Sequence, residues 1–310
     1  MELLILMFIF IGIIFLGYFF QKRALFSQGA IKDFSTLVTK IVLPAMILSH
    51  IGYTGPDGDR ATTLAYLLAL FLMEGFLIIV AFLLPKVINI REDSVGMVQF
   101  LMVFNNNGFI GIPIARLFFG ELGAFYAALT FIPFNIYMYS IGILFLRKGA
   151  KGNVTGRESL KKYFIQPGFL AALTLLLFFL LDFQIPTGLK DLFMLLGNMA
   201  TPLSLLVLGM SISGFNLIDL FKDKRIYLLS FFKMVVFPGL VYLLAKNLIA
   251  DDLAIYVLAI IAALPGATIA TSFAYAFGGD EKLASGYVFV STLISAVTLP
   301  VVLGVIGIGV

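Results

Sequence analysis

The chain has 310 residues, of which 61% are hydrophobic and only 12% are Asp, Glu, Lys or Arg. A soluble domain typically has about 25% charged residues, so this chain lacks the polar groups that a water-exposed surface needs. We therefore interpret it as an integral membrane protein, which excludes a cytosolic enzyme and a nucleic-acid-binding protein despite the net charge of +4. With no Cys and a single His, disulfides, thiolate metal sites and sites with several His ligands are excluded. We expect no cofactor.

Long apolar segments between polar breaks predict an all-α protein with ten transmembrane helices, which we call spans 1 to 10. A spanning helix needs about 20 apolar residues, so the chain is long enough for ten such helices with short connections. Spans 1 to 10 are predicted at roughly residues 3–20, 33–52, 61–84, 94–118, 123–146, 164–181, 190–215, 226–249, 253–276 and 283–307.

The basic residues indicate how the chain is oriented in the cell membrane. Of the 21 Lys and Arg, 15 fall in the breaks after spans 1, 3, 5, 7 and 9, whereas the opposite breaks hold only Arg60, Lys190 and Lys246. Because cytoplasmic loops are enriched in Lys and Arg, we expect the first set of breaks to be cytoplasmic and both termini to lie outside. No predicted loop is long enough for a nucleotide-binding domain and no GxxxxGK[ST] motif is present, so ATP-driven transport by this chain alone is excluded.

An offset of 158 residues aligns several features of the two halves of the chain. The matched features are Lys32-Asp33 with Lys190-Asp191, Pro44 with Pro202, and Phe119-Gly120 with Phe277-Gly278. Because each half has five spans, an odd number, the second half is expected to be inverted relative to the first, as in many secondary transporters. We predict a first repeat at residues 1–150, a cytoplasmic linker at 151–162 and a second repeat at 163–310. The alternative is an ancestral duplication in a protein with another role.

Spans 4 and 9 are predicted to be broken near the middle of the membrane. Span 4 carries three consecutive amides, two glycines and a proline: Asn105, Asn106, Asn107, Gly108, Gly111 and Pro113. Proline removes a helical hydrogen bond, and glycine permits non-helical backbone. Such backbone is tolerated at membrane depth only where it is buried in protein or lines a cavity.

Span 9 offers a partner for that break, because Pro265, Gly266 and Thr268 follow one another closely and the 158-residue offset places Pro265 opposite Asn107. Two broken helices that cross would direct the partial positive charge of their N-terminal ends at one point. This arrangement predicts a site for an anion, most simply a carboxylate. The alternative is a proline kink in which the Asn side chains join neighbouring helices.

These segments resemble the auxin efflux carrier family, the PIN-like transporters of plants and their prokaryotic relatives. Residues 106–113 are similar to the family pattern Asn-Thr-Gly-Phe-x-Gly-Ile-Pro, with Asn107 in place of Thr, residues 198–209 resemble its seventh-helix pattern, and residues 277–300 resemble its C-terminal block. The resemblance spans the chain. It implies two inverted five-helix repeats in a fold like that of sodium/proton antiporters, with broken, crossing helices 4 and 9.

The resemblance also implies that the spans form two structural units with different roles. Spans 1, 2, 6 and 7 would form a scaffold, and spans 3–5 and 8–10 would form a transport domain that moves like an elevator to carry organic anions. Asn106 and the crossing at Pro113 and Pro265 would then contact the substrate. Asn198 and Gln166 are the further candidates for substrate contact, although Gln166 stands where relatives often have Asn.

Four ionisable residues fall within predicted spans: Glu74, Lys233, Lys40 and His50. Charge is costly in lipid, so each is a candidate for a functional role. Glu74 and Lys233 are 159 residues apart, close to the repeat offset, and we predict that Glu74 exchanges a proton during transport with Lys233 as its partner. The alternative is a permanent ion pair between spans 3 and 8. Lys40 is expected to extend to the membrane surface, and His50 to lie at the outer interface.

The sequence thus predicts a secondary transporter, or facilitator, that lies in membrane lipid and carries a small organic anion. We expect its transport to be coupled to protons. One alternative is a sodium-coupled carrier of the bile-acid symporter type, because hydroxyl and amide side chains in spans 5 and 9 could bind Na⁺, namely those of Thr130, Asn135, Thr268, Thr271 and Ser272. Another is a membrane sensor or scaffold that does not transport. An enzyme is not expected, because neither HExxH nor GxSxG occurs. The sequence leaves a homodimer open.

Overall fold

The computed structural model describes residues 2–27, 29–52, 60–87, 90, 92–148, 166–277 and 279–307, and helices dominate this part of the chain. The predicted linker at 151–162 lies outside the described residues. The first half contains α1 Glu2–Lys22, α2 Ala30–Leu48, α3 Arg60–Val87, α4 Glu92–Val103, α5 Ile112–Leu129 and α6 Phe131–Lys148. The second half contains α7 Pro167–Leu181, α8 Thr187–Gly197, α9 Ala200–Ile212, α10 Leu217–Lys222, α11 Lys224–Ala245, α12 Asp252–Ala263, α13 Ile269–Phe277 and α14 Glu281–Val305.

Within the described residues, five helical stretches are long and apolar enough to cross a membrane, as judged by length and composition. They are Ala61–Pro85, Leu122–Arg147, Thr187–Ile212, Lys224–Ala245 and Glu281–Val305. Shorter apolar helices occur at Phe8–Lys22, Pro167–Leu181 and Asp252–Ala263. Predicted spans 4 and 9 are each interrupted, so neither forms one long helix. The architecture is that of a multi-pass membrane protein.

Four π-helical turns occur among the described residues: Val38–Val42 in α2, Met138–Gly142 in α6, Phe232–Val236 in α11 and Asn107–Gly111, which leads into α5. In α2 and α11 the turn ends two residues before a proline, Pro44 or Pro238. A proline inside a helix lacks an N–H and clashes with the carbonyl four residues earlier, and a wider turn relieves that clash. The turn in α11 contains Lys233, so the local distortion coincides with a buried charge.

The helices α1 and α9 pack with their backbones in close contact. A Cβ atom added to Gly17 would lie 2.3 Å from the Leu206 carbonyl oxygen, and one added to Gly209 would lie 1.9 Å from that of Ile14. Small residues permit this approach between membrane helices, where close packing contributes much of the association energy. Both glycines therefore set the distance between the first helix and the second half of the chain.

A polar cluster joins the ends of three helices that we predict to face the cytoplasm. Arg225 donates to Ser94 at 2.9 Å and forms a salt bridge with Asp223 at 2.6 Å, while Ser94 donates to Asp280 at 2.7 Å. Partial burial acts to raise the pKa of Asp223, but the hydrogen bonds and charge of Arg225 outweigh it and hold that pKa below its ordinary value. The cluster connects the start of α4 with those of α11 and α14.

The close contact between α1 and α9 predicts that Gly209→Ala destabilises the protein. The added methyl group must push the two helices apart, and overpacking of this kind typically costs about 1–3 kcal/mol. The matched control is Gly12→Ala in α1, because no atom lies within 4 Å of the position of its added Cβ. Thermal unfolding in detergent should show a lower midpoint for Gly209→Ala alone; equal midpoints for the two variants would contradict the packing described.

Candidate functional site: the crossing of two interrupted helices

The two interrupted segments pair with each other through their backbones. Between the ends of α4 and α12, Asn105 and Gly266 form an antiparallel bridge. The Asn106 N–H donates to the Pro265 carbonyl at 3.0 Å, and the Ala267 N–H donates to the Phe104 carbonyl at 3.2 Å. We call residues 104–106 and 264–267 the crossing. It satisfies backbone groups that would otherwise be unpaired deep in the protein.

Local chemistry explains why the second segment leaves the helical conformation at this point. Leu264 has φ −66° and ψ 151°, the extended conformation that a residue before proline favours, and Pro265 has no N–H to continue α12. Gly266 allows the backbone to approach α14, since an added Cβ would lie 2.6 Å from the Tyr287 ring. The Gly266 N–H is bound by the Ser291 hydroxyl at 3.2 Å.

The three consecutive amides of the first segment are buried at the crossing, each with 4% or less of its surface exposed. Asn105 Nδ2 donates to the Ile261 carbonyl at 2.7 Å, so this side chain binds the C-terminal end of α12 across the crossing. Within the described residues, the side-chain oxygens of Asn105, Asn107 and Thr268 have no hydrogen-bond donor. Buried polar atoms are normally paired, so these three oxygens are available to water or a ligand.

A small cavity lies against the crossing. Its polar lining comes from Asn105, Asn106, Asn107, Asn135 and Thr268, and its other lining residues are Leu43, Met46, Gly108, Phe131, Phe134, Met138, Ala267 and Ile269. The cavity volume is about 20 Å³, which is enough for roughly one water molecule. An organic anion would therefore require the surrounding helices to move apart.

The electrostatics of the cavity favour an anion. The N-terminal end of α13 begins at the cavity with Thr268 and Ile269, and the π-helical turn that leads into α5 begins there with Asn107 and Gly108. Unpaired N–H groups at helix N-termini carry about half a positive charge, which attracts carboxylates and other anions. Among the described residues, no Asp or Glu lines the cavity to oppose this attraction.

The structure brings together only some of the predicted site residues. Asn105, Asn106, Asn107, Gly108 and Thr268 line the cavity, whereas Pro265 and Gly266 form the crossing behind it. Of the others, Pro113 lies in the first turn of α5, Gln166 precedes α7, and Asn198 is exposed at the end of α8. None of these three contributes to the cavity lining.

Glu74 and Lys233 are both almost fully buried, but they do not form the contact expected for a direct ion pair. Both residues are described, and no oxygen–nitrogen pair between them lies within 4.0 Å. The Lys233 ammonium instead donates to the backbone carbonyls of Leu101 and Phe104, the latter at 2.9 Å. The two side chains still attract each other electrostatically. The hydrogen-bond partners of Lys233, however, are the two backbone carbonyls and not Glu74.

The remaining predicted ionisable residues do not line the cavity. Lys40 is exposed on α2, as expected for a side chain that extends towards the membrane surface. His50 is half-buried, with Nδ1 donating to the Met46 carbonyl at 2.7 Å and its ring 4.8 Å from that of Phe131. Both Met46 and Phe131 line the cavity, so His50 supports its wall from behind.

Sequence reasoning did not assign the apolar lining from α2 and α6 to the site. Met46, Phe131, Phe134 and Met138 are ordinary hydrophobic residues in apolar helices, and nothing in their spacing separates them from residues that face other helices. Asn135 was predicted only as a possible oxygen donor to Na⁺, although a buried amide in the middle of a span is itself a signal. It lines the cavity beside these residues.

Comparison with known proteins identifies the family. The chain belongs to the membrane transport protein family. The family model matches residues 3–303, which confirms the resemblance to auxin efflux carriers that the sequence motifs indicated.

Two relatives match nearly the whole chain at low identity. An uncharacterised transporter of Methanocaldococcus jannaschii is 24% identical over 293 residues, which cover 93% of this chain and 93% of that protein. A protein of Rhizobium meliloti that bears the name "Putative malonate transporter" is 24% identical over 303 residues, with 94% of this chain and 91% of that protein covered. The family membership and these relatives identify the protein as a membrane transporter.

The hydrogen bond across the crossing predicts that Asn105→Ala destabilises the protein. The substitution removes the 2.7 Å bond to the Ile261 carbonyl and leaves that buried carbonyl only the long bond from the Leu264 N–H at 3.4 Å, so we expect a cost of about 1–3 kcal/mol. Asn247→Ala is the matched control, because its Nδ2 also donates to a backbone carbonyl, that of Leu243, but on an exposed helix end. A lower unfolding midpoint for Asn105→Ala alone is expected; equal loss in both variants would argue against a special role for the crossing.

Proposed function

We propose that this protein is a secondary transporter, or facilitator, that carries a small organic anion across the cell membrane. The observation that carries the proposal is the cavity at the crossing, which is lined by buried amide and hydroxyl side chains and by the beginnings of two helices. Amide Nδ2 groups, the Thr268 hydroxyl and the backbone N–H groups of the first helical turns can donate hydrogen bonds to a carboxylate. In such a pocket, these neutral donors replace the water molecules that hydrate the anion in solution. No Lys or Arg side chain needs to contact the anion.

The lining chemistry favours a monocarboxylate with an apolar body over a dicarboxylate. Four of the five polar lining residues, Asn105, Asn106, Asn107 and Thr268, belong to the two interrupted segments, and most of the remaining lining is Met, Leu, Ile and Phe. No Lys or Arg is among the described lining residues, so a second carboxylate would lie against apolar side chains, and an unpaired buried charge is costly. The Rhizobium meliloti relative is named for malonate, a dicarboxylate, so the two substrate classes are the comparison to make.

We further propose that the chain forms ten membrane helices in two inverted five-helix repeats, with both termini outside. The 158-residue offset and the distribution of Lys and Arg support this arrangement. The small cavity supports alternating access, because a substrate of several heavy atoms needs a state in which the pocket is wider. Movement of spans 3–5 and 8–10 as one unit relative to spans 1, 2, 6 and 7 would widen it, because its lining comes both from α2 in span 2 and from α6 in span 5.

Glu74 is the candidate for proton coupling. It is a buried carboxyl group on α3, and the Tyr137 hydroxyl, which bonds the Phe71 carbonyl at 3.4 Å, belongs to the same region. A carboxylate that changes its exposure during transport can take up and release a proton. The competing candidates are a sodium-coupled carrier, which needs a free Na⁺ site, and a sensor, which would bind a ligand without moving it.

The first test is binding and uptake by the purified protein. In proteoliposomes we expect saturable uptake of an aromatic monocarboxylate such as phenylacetate, in preference to malonate. Thr268→Val removes one hydroxyl from the cavity with little change in shape and should weaken binding roughly tenfold, the effect of losing one hydrogen bond to a charged ligand. Thr36→Val is the control, because its hydroxyl donates to the Lys32 carbonyl on an exposed helix face.

Uptake that is unaffected by Thr268→Val would place the substrate elsewhere. Binding without uptake would favour the sensor, and preference for malonate would reverse the proposed substrate class.

The second test concerns coupling. Glu74→Gln keeps the size of the side chain but cannot exchange a proton, so uptake driven by a pH gradient should be lost while substrate binding persists. The measurement is uptake with and without an imposed pH gradient, beside equilibrium binding of the same substrate. If the variant keeps the pH dependence of the unmodified protein, Glu74 is not the coupling group.

A further inference from the structure

Lys233 contacts the crossing in a way that neither the anion site nor proton coupling explains. Its side chain is 1% exposed, and its ammonium donates to the carbonyls of Leu101 and Phe104. These carbonyls lie at the C-terminal end of α4, which ends at Val103, where helix carbonyls lack partners within the helix. The Phe104 carbonyl also accepts the Ala267 N–H across the crossing. One ammonium therefore binds both the helix end and the paired backbone.

The carbonyl end of a helix carries about half a negative charge. At this position that charge lies close to the cavity, because Phe104 is followed directly by Asn105, which lines it. Uncompensated, it would repel an anion that the N-terminal ends on the other side attract. A buried ammonium that donates to these carbonyls cancels the repulsion and also supplies hydrogen-bond donors that the carbonyls lack within the helix.

Backbone carbonyls with a nearby carboxylate are also the ligands that a small hard cation prefers in proteins. Here the two carbonyls are those of Leu101 and Phe104, and the carboxylate is that of Glu74, a buried side chain that is electrostatically attracted to Lys233. Lys233 reaches this position from the π-helical turn of α11, whose wider geometry directs the side chain between α4 and the crossing.

We propose that Lys233 is a resident cation, covalently attached through α11, that occupies the position where the crossing would otherwise need a bound monovalent cation. The inference rests on the proposed function, because it takes the crossing as the substrate site, and it makes Lys233 a positioning residue for the anion. The protein then needs no free Na⁺ to hold the crossing or to attract the substrate. Removing the ammonium creates a vacancy lined by the same carbonyls.

The experiment is chemical rescue of Lys233→Ala in detergent and in proteoliposomes. The unmodified protein should unfold at the same temperature in NaCl and in choline chloride. Lys233→Ala should unfold at a lower temperature, and ethylammonium or methylammonium, which supply the missing ammonium group, should raise it again. Phenylacetate binding should be weakened about tenfold, the effect of one favourable partly buried charge at a helix end, and recover with the amine.

Lys40→Ala is the matched control, because Lys40 also lies in a π-helical turn just before a proline but is exposed. It should show no loss and no response to amines. If Lys233→Ala cannot be purified without an amine, purification in ethylammonium chloride supports the proposal. If it fails there too, the titration moves to Lys233→Met, which keeps most of the apolar side chain and lacks only the terminal ammonium position. A Lys233→Met protein that neither Na⁺ nor a small ammonium ion stabilises would overturn the proposal.

Two outcomes separate this inference from the function on which it rests. If the unmodified protein binds no carboxylate, the proposed function fails, while amine rescue of unfolding still tests the cation role. If the unmodified protein binds phenylacetate only in the presence of Na⁺, the anion site stands and the resident cation is refuted, because a free cation is then required beside Lys233.

Discussion

Backbone hydrogen bonding at membrane depth is the constraint on which the rest of this structure depends. Lipid offers no partner to an N–H or C=O group, so a helix can be interrupted there only if other protein groups replace the lost bonds. Here two interruptions solve the problem for each other, because Asn106 and Ala267 each donate to a carbonyl of the opposite segment. Neither break would be stable alone, and their pairing exposes two helix beginnings to one cavity.

The side chains around the crossing follow from the same constraint. Asn105 binds a carbonyl at the end of α12, Lys233 binds carbonyls at the end of α4, and Ser291 binds the Gly266 N–H. Each polar side chain thus compensates a backbone group that the interruption leaves without a helical partner. Asn105, Asn107 and Thr268, whose side-chain oxygens have no partner among the described residues, line the cavity, so a ligand or water there can use groups that the fold leaves unpaired. A transporter needs such unpaired polar groups in its cavity, because they must bind the substrate when the cavity is closed around it and release it when the cavity opens.

The position of both breaks could be predicted from the sequence because their causes are local. Proline and glycine act on their own backbone, and three buried amides in one span demand partners wherever they lie. The partners of Lys233 could not be predicted in this way. Glu74 is visible in the sequence as the opposite charge, but every residue has a carbonyl, so the sequence does not mark those of Leu101 and Phe104 as ligands. Asn198 and Gln166, which the family resemblance suggested as substrate contacts, lie outside the cavity. Which helices pack around a site depends on tertiary structure, so these positions could not be judged from local sequence as the helix breaks could.

The most direct test of the paired crossing is residue-resolved amide hydrogen exchange of the protein in nanodiscs. Asn106 and Ala267 are non-helical residues on a cavity wall, so water in the cavity would exchange their N–H groups quickly if these were unpaired. The account predicts that both exchange as slowly as amides within α4 and α12, because each is hydrogen-bonded across the crossing. Rapid exchange at both positions, beside slow exchange in the flanking helices, would contradict it.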